Sequence, residues 1–223
     1  MIIIVDDREE LAGVDTLGFG REGIPTEGLV ASDFQDWVRT APDPDLAAVE
    51  AFVLGEFGDR RAFPKMIKQR SRAPVLALNG ARSLQETLEL FACGVDDVIG
   101  TTIHIHEVLA RIKAITRRAA VESEGTVSGG IRVFGDGRDP EVAGGQLHLP
   151  RRERRILEYL VSNKGRRVTK AQIFSFVYGL FADEIDENVI ESHISKLRKR
   201  LRHQLGHDPI DSQRYLGYRL IDL

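Results

Sequence analysis

Short apolar runs and amphipathic stretches alternate along the first half of the chain. The apolar runs lie at residues 2–5, 46–54, 75–78 and 95–99, with a weaker strand pattern at 26–30. Helical periodicity lies between them, at residues 9–17, 33–39, 64–70, 84–92 and 107–118. This alternation predicts an α/β domain with a parallel sheet and helices on both faces, in which functional residues gather beyond the carboxyl ends of the strands.

A short polar segment separates this half from the second. Residues 119–125 are small and polar and lack apolar periodicity, which is typical of a linker between domains. Glycines then divide residues 126–149 into short strands, and helical patterns follow at residues 151–163, 170–178 and 188–205. Residues 209–220 have the pattern of a β-hairpin with Arg214 towards its tip. We therefore expect two domains, residues 1–118 and 126–223.

The helix at residues 188–205 has one apolar and one polar face. Its apolar residues recur at steps of four, three and four, which predicts a buried stripe of Ile190, Ile194, Leu197 and Leu201. The polar face mixes short side chains with cations, which suits a DNA major groove, because cations reach phosphates and guanine edges while short side chains allow close approach. A charged helix face is also commonly only a solvated surface. The pattern alone leaves both interpretations open.

Charge separates the two halves of the chain. Residues 1–120 carry 14 Lys+Arg against 19 Asp+Glu, a balance of −5, and residues 150–223 carry 15 against 10, a balance of +5. A basic domain behind an acidic one suits a polyanion that binds the second domain. The apolar runs are far shorter than the roughly 20 residues that cross a bilayer. We expect a cytoplasmic protein without a membrane partner.

These segments together resemble one known family. The order of LHLPRRERRILEYLVSNKGRRVTKAQI, FSFVYG, NVIESHISKLRKRL and IDSQRYLGYRL is similar to the effector domain of OmpR/PhoB-type response regulators, and IIIVDD, PDLAAVEAF, PVLALNG and VDDVIG resemble the strands of their receiver domain. The resemblance implies a CheY-like, doubly wound parallel sheet of five strands in the order 2-1-3-4-5. A C-terminal winged helix-turn-helix, preceded by an antiparallel sheet, is implied to follow.

For the second domain, the resemblance implies binding to double-stranded promoter DNA. The helix at residues 188–205 is then the major-groove element, and residues 179–187 form a loop that contacts RNA polymerase. The start of the helix departs from the family's usual Arg-Thr-Val-Asp-Val-His, which implies a changed base preference. For His193, a phosphate contact or a packed imidazole is an alternative to base reading. The expected DNA-binding residues are Asn188, Val189, Glu191, Ser192, His193, Ser195, Lys196, Arg198, Lys199, Arg202, Ser212 and Arg214.

For the first domain, the resemblance implies a degenerate phosphorylation site. Asp6 and Asp7 match the acidic pair that holds Mg²⁺, whereas Glu50 stands where the phosphoacceptor aspartate belongs. Asn79 replaces a threonine or serine, and Thr101 replaces a lysine. Without that lysine, repulsion among the carboxylates should raise their proton affinity or favour a bound cation. We expect no phosphoryl transfer, no cofactor and no metal; Asp6 and Asp7 are the pair best suited to any cation.

Two interpretations of Glu50 stay open. Its side chain is one methylene longer than that of aspartate, which brings the charge nearer to the place of a phosphoryl group and favours a state like the phosphorylated one. The alternative is drift in an unused site, with Asp6 and Asp7 kept because they cap the first helix.

The resemblance also implies a homodimer. Family members pair through the face formed by the fourth helix, fifth strand and fifth helix of the receiver. Glu89 stands where the family usually has an arginine, so it should repel Glu107 unless the dimer is rearranged or another cation compensates. The expected residues of this face are Glu89, Asp96, Asp97, Glu107, Arg111 and Arg117.

The leading prediction is a DNA-binding transcription regulator that acts without aspartate phosphorylation, is not an enzyme, and is similar to atypical regulators of flagellar genes. One rival is a conventional phosphorelay receiver with a non-standard site, which predicts labelling by acetyl phosphate. Another rival is a protein-interaction adaptor, which predicts no salt-dependent affinity for DNA.

Overall fold

The computed structural model describes residues 1–8, 18–20, 22–80, 83–101, 103–120, 125–179 and 185–221. The chain divides into two compact units, Met1–Thr116 and Arg117–Leu223. The helix predicted at residues 9–17, most of the linker predicted at 119–125, and much of the predicted polymerase loop at 179–187 lie outside the described residues.

A five-stranded parallel sheet forms the centre of the first unit. Its strands are β1 Ile2–Val5, β2 Thr26–Leu29, β3 Ala51–Leu54, β4 Val75–Leu78 and β5 Asp97–Ile99. They lie in the order β2-β1-β3-β4-β5, which confirms the predicted doubly wound class. β1, β3 and β4 are buried at every position, as expected for parallel strands that helices cover on both faces.

Helices alternate with these strands. They are α1 Ala31–Thr40, α2 Asp43–Ala48, α3 Phe63–Arg70, α4 Leu84–Ala92 and α5 Ile105–Ala120. Pro44 lies in the first turn of α2, where its missing N–H costs nothing. At the start of α4, Ser83 Oγ accepts a hydrogen bond from Glu86 N. Local sequence signals therefore mark where α2 and α4 begin.

The apolar run at residues 46–54 is not one strand. Its first residues complete α2, and only its last four form β3, so Glu50 precedes β3 at the amino end of the sheet. There the Glu50 carboxylate lies 3.2 Å from the N-terminal ammonium of Met1. Val5 is level with Leu54, so the carboxyl ends of β1 and β3 meet at the opposite edge. The prediction that Glu50 occupies the phosphoacceptor position is wrong, and so is its role as a phosphoryl mimic.

The second unit begins with an antiparallel sheet and ends with a hairpin. Its elements are β6 Thr126–Ser128, β7 Ile131–Val133, β8 Glu141–Val142, β9 Gly145–Gln146, α6 Arg151–Ser162, α7 Lys170–Tyr178, α8 Val189–Leu205, β10 Ile210–Gln213 and β11 Gly217–Leu220. β6 to β9 form one sheet, and β10 pairs with β11. The predicted winged helix-turn-helix with a leading sheet is confirmed.

One apolar core joins the elements of the second unit. The four residues predicted as the buried stripe of α8 are all buried. They pack with buried residues of α6, α7, the leading sheet and the hairpin. Gly206, at φ +79°, ends α8 in the left-handed conformation that favours glycine. Within the described ranges, no helix has the length and apolarity needed to span a membrane.

Candidate nucleic-acid interface and acidic pocket

The outer face of α8 presents free polar groups. Its 17 residues make a rod about 25 Å long, at 1.5 Å per residue. Ser192, Ser195, Lys196 and Lys199 are exposed, and no intramolecular hydrogen bond or ion pair holds any of them within the part of the chain that the structure describes. Two hydroxyls and two cations on one exposed helix face match the combination that reads base edges and phosphates.

The first turn of α8 is held by α7. Lys170 Nζ lies 2.6 Å from Asn188 Oδ1 and 3.2 Å from Glu191 Oε1. The amide of Asn188 also bonds to Asp186, and Val189 is half-buried. Asn188 and Glu191 are exposed but already bonded to Lys170. Lys170 therefore holds the start of α8 against the start of α7.

His193 faces inward. Its Nε2 lies 2.8 Å from Tyr178 Oη, with which it shares a hydrogen bond. Burial lowers the pKa of His193, and the charges of Arg152 and Lys196 lower it further, so the ring is neutral near pH 7. This geometry favours the packed imidazole over the base-reading role.

The last turns of α8 are tied to the hairpin. Arg198 Nε and Arg202 Nη2 each lie 2.8 Å from Asp208 Oδ2, and Asp208 Oδ1 accepts a hydrogen bond from Ile210 N at the start of β10. Burial alone would raise the pKa of Asp208, but its bonds to the two arginines outweigh burial and lower it. Arg198 and Arg202 thus position the hairpin, a role that the sequence did not predict.

The β10–β11 hairpin is anchored at its base and exposed at its tip. Val168 and Tyr218 exchange backbone hydrogen bonds of 2.8 Å. Ser212 and Arg214 are exposed, and Arg214 Cζ lies 4.9 Å from the centre of the Tyr215 ring. Arg214 therefore stands at the tip, as the sequence predicted.

The acidic pocket at the carboxyl edge of the first sheet contains a built-in cation. The Asp6 side chain is fully buried, and Arg8 donates to Asp6 Oδ1 at 3.0 Å and to Oδ2 at 2.8 Å. Burial alone would raise the pKa of Asp6, but the hydrogen bonds and charge of Arg8 outweigh burial and lower it. The expected compensating cation is thus Arg8, which sequence reasoning missed, and the proton affinity of Asp6 is not raised.

Gly55 directly follows β3 and Asp6 directly follows β1, each one residue beyond the Val5–Leu54 pair. A Cβ built on Gly55 would overlap the Asp6 carboxylate. The next residue, Glu56, bonds to Gly80 N and lies 3.5 Å from Arg8. The residue that follows β3 thus has no side chain, and the carboxylate of the next residue, Glu56, is already bonded to Gly80 N.

The remaining predicted residues of this pocket do not form a magnesium site. Asp7 Oδ1 accepts a hydrogen bond from Ala31 N at the start of α1. The helix that the acidic pair was expected to cap, at residues 9–17, lies outside the described residues. Asn79 donates towards α4, to Thr87 Oγ1 at 3.1 Å, and Thr101 is exposed. Magnesium needs free carboxylate oxygens, and both oxygens of Asp6 are bound to Arg8. These residues do not fit Mg²⁺, and no cluster of three or more potential metal ligands occurs among the described residues.

The predicted dimer-face residues form ion pairs within the chain. Arg111 lies 2.9 Å from Asp97 and 2.7 Å from Glu107, and these bonds raise its pKa. Glu89 pairs with Arg61, so Glu89 and Glu107 each have a cation of their own. Asp96 pairs with Lys68, and Arg117 is exposed. Each of the two glutamates therefore has a cation partner within one chain.

Comparison with known proteins agrees with this architecture. A family model described as "Transcriptional regulatory protein, C terminal" matches residues 144–220. The flagellar transcriptional regulator FtcR of Brucella abortus (strain 2308) is 55% identical over 222 residues, which cover 98% of this chain and 98% of that protein. The cell cycle transcriptional regulator CtrA of Caulobacter vibrioides (strain NA1000 / CB15N) is 34% identical over 129 residues, 57% of this chain and 55% of that protein.

A solved structure also aligns with the chain. The response regulator DrrB, a Thermotoga maritima OmpR/PhoB homolog, is 24% identical, with a TM-score of 0.43 and coverage of 98% of this chain and 97% of that chain. The identity to FtcR extends along nearly the whole of both chains, and the C-terminal family model covers α6 to α8 and the hairpin. The chain therefore belongs to the family of the transcriptional regulator FtcR.

Proposed function

We propose that this regulator binds promoter DNA in the cytoplasm without aspartate phosphorylation and controls flagellar genes. The regulon is inferred from the name of the FtcR relative. The observation that carries the unphosphorylated mode is Gly55, which follows β3 and lies so close to the Asp6 carboxylate that it leaves no room for a side chain. Phosphoryl transfer also needs a metal held by carboxylates, and Arg8 already occupies Asp6.

The proposed DNA contacts fall into two groups. The residues that approach DNA are the exposed ones on α8 and at the hairpin tip: Ser192, Ser195, Lys196, Lys199, Ser212 and Arg214. The residues that orient these elements are Asn188, Val189, Glu191, His193, Arg198 and Arg202, because each is bonded to a neighbouring element or half-buried. This division is supported by the contacts of each side chain.

The regulator is proposed to work as a homodimer of two-domain chains. Residues 1–118 act as the receiver-like domain and residues 126–223 as the DNA-binding domain. The dimer forms through α4, β5 and α5, and residues 179–187 contact RNA polymerase. Exposed ion pairs contribute only about 0 to 1 kcal/mol each. The ion pairs of Arg111 therefore affect the orientation of the two chains in the dimer more than the affinity between them.

Genomic footprinting of the full-length chain tests the proposal. We expect discrete sites upstream of flagellar genes, with half-sites repeated in one direction. Sites upstream of unrelated genes only would contradict the regulon, and the absence of any site-specific enrichment would contradict DNA reading itself.

A further inference from the structure

Two large apolar side chains stand uncovered at the tip of the hairpin. Tyr215 is 88% exposed and Leu216 is 53% exposed. The turn is tight, because Leu216 N donates to Gln213 O across it. This apolar surface is not used in the core of the unit and is open to contact with a partner.

The backbone at Tyr215 is strained. Its φ is +65°, in the left-handed region where glycine or asparagine is favoured and a bulky residue is uncommon. Among the described residues other than glycine, only Ala143 shares a positive φ. Strain at a side chain that gains no packing is typical of a functional site.

The base of the hairpin holds this tip in a fixed place. A Cβ on Gly217 would overlap the carbonyl of Val168, so the backbones of the hairpin and of Val168 touch directly. Arg167 Nη1 donates to Gly217 O at 3.0 Å. Because Asp208 also ties the start of β10 to α8, the tip has a defined position relative to the exposed face of that helix.

We infer that Tyr215 contacts DNA and packs its ring against the sugar edges of the minor groove beside Arg214. Arg214 Cζ lies 4.9 Å from the ring centre, so the cation and the ring form one unit at the tip. An arginine is drawn into a narrow, A·T-rich minor groove by its negative potential, and an apolar neighbour fits the groove walls. The inference rests on the proposed function, in which the hairpin tip approaches DNA.

Two substitutions at position 215 separate the ring from the backbone. Tyr215→Gly relieves the positive φ and removes the ring, so the melting temperature should not fall while affinity for a duplex selected by the full-length parent falls about tenfold. Tyr215→Phe keeps the ring and should bind like the parent. The salt slope of Tyr215→Gly should match that of the parent, because tyrosine carries no charge.

Ala143→Gly is the matched control. It relieves a positive φ of +51° at the exposed turn between β8 and β9, and should leave affinity unchanged. If Tyr215→Gly binds the duplex as tightly as the parent, the ring serves another partner and the inference is overturned. If the parent selects no duplex, both this inference and the proposed function fail.

Discussion

The buried carboxylate of Asp6 depends on Arg8. The Asp6 side chain is fully buried, and both of its oxygens accept from the Arg8 guanidinium. In Arg8→Ala that charge loses its partner, and we expect a loss of about 2 kcal/mol in the free energy of unfolding. Urea denaturation followed by the fluorescence of Trp37, the one tryptophan of the sequence, reports this loss in the first unit. Arg72→Ala, at an exposed arginine, should be nearly neutral.

The same pair predicts a pH dependence. The pKa of Asp6 is lowered in the folded chain, so its contribution to stability is fully present above the unfolded pKa of about 3.9 and is lost as the pH falls through the folded pKa. The stability difference between the parent and Arg8→Ala should therefore shrink below about pH 4. A difference that stays constant down to pH 2 would show that Arg8 acts through something other than the Asp6 charge.

Gly55 and Gly58 form a matched pair of residues in one loop. A Cβ on Gly55 overlaps the Asp6 carboxylate, whereas a Cβ on Gly58 meets nothing within 4 Å. Gly55→Ala should lower the free energy of unfolding by about 2 kcal/mol, and Gly58→Ala should change it by less than about 0.5 kcal/mol. The measurement is again urea denaturation. Equal effects at the two positions would refute the close contact between Gly55 and the Asp6 carboxylate.

At the scale of elements, some cations of α8 are free to bind DNA and others stabilise the fold. Lys196 is exposed and free, so Lys196→Ala should lower the salt slope of DNA binding by about 0.9 without loss of stability. Arg198 holds Asp208, so Arg198→Ala should lower the stability of the second unit by about 1 kcal/mol, measured by calorimetry. Lys113→Ala, at an exposed lysine of α5, is the control for charge alone. Equal salt slopes for Lys196→Ala and the parent would show that Lys196 does not contact DNA phosphates.

Elements with strong periodicity or clear end signals were predictable from the sequence. β4, α4 and α7 have the predicted bounds, and α8 begins one residue later than predicted. The run at residues 46–54 misled the prediction, because continuous apolar residues fit a buried helix end and a buried strand equally well. That single ambiguity moved Glu50 to the wrong edge of the sheet.

Side-chain partners were less predictable than elements. The outward face of α8 and the place of Arg214 follow from periodicity and hairpin length. The Arg8–Asp6 pair had a weak signal, since a cation stands two residues after the acidic pair. The ties from Asp208 to α8 and the inward turn of His193 depend on tertiary packing, which no local pattern encodes.

At the scale of the whole molecule, charged side chains have different roles in the two units. In the first unit, the carboxylates at the sheet edge are neutralised by Arg8, by a helix start and by Gly80 N. In the second unit, cations on α8 and Arg214 remain exposed. We propose that a chain built in this way binds DNA according to its abundance, its dimerisation or a partner protein, with no phosphoryl switch.

The most direct test measures DNA affinity and intact mass together. The full-length chain is incubated with acetyl phosphate and Mg²⁺, its mass is recorded, and its affinity for the selected duplex is measured at fixed salt before and after treatment. We predict no phosphoryl adduct and an unchanged affinity. A phosphoryl adduct accompanied by a change in affinity would contradict the central claim.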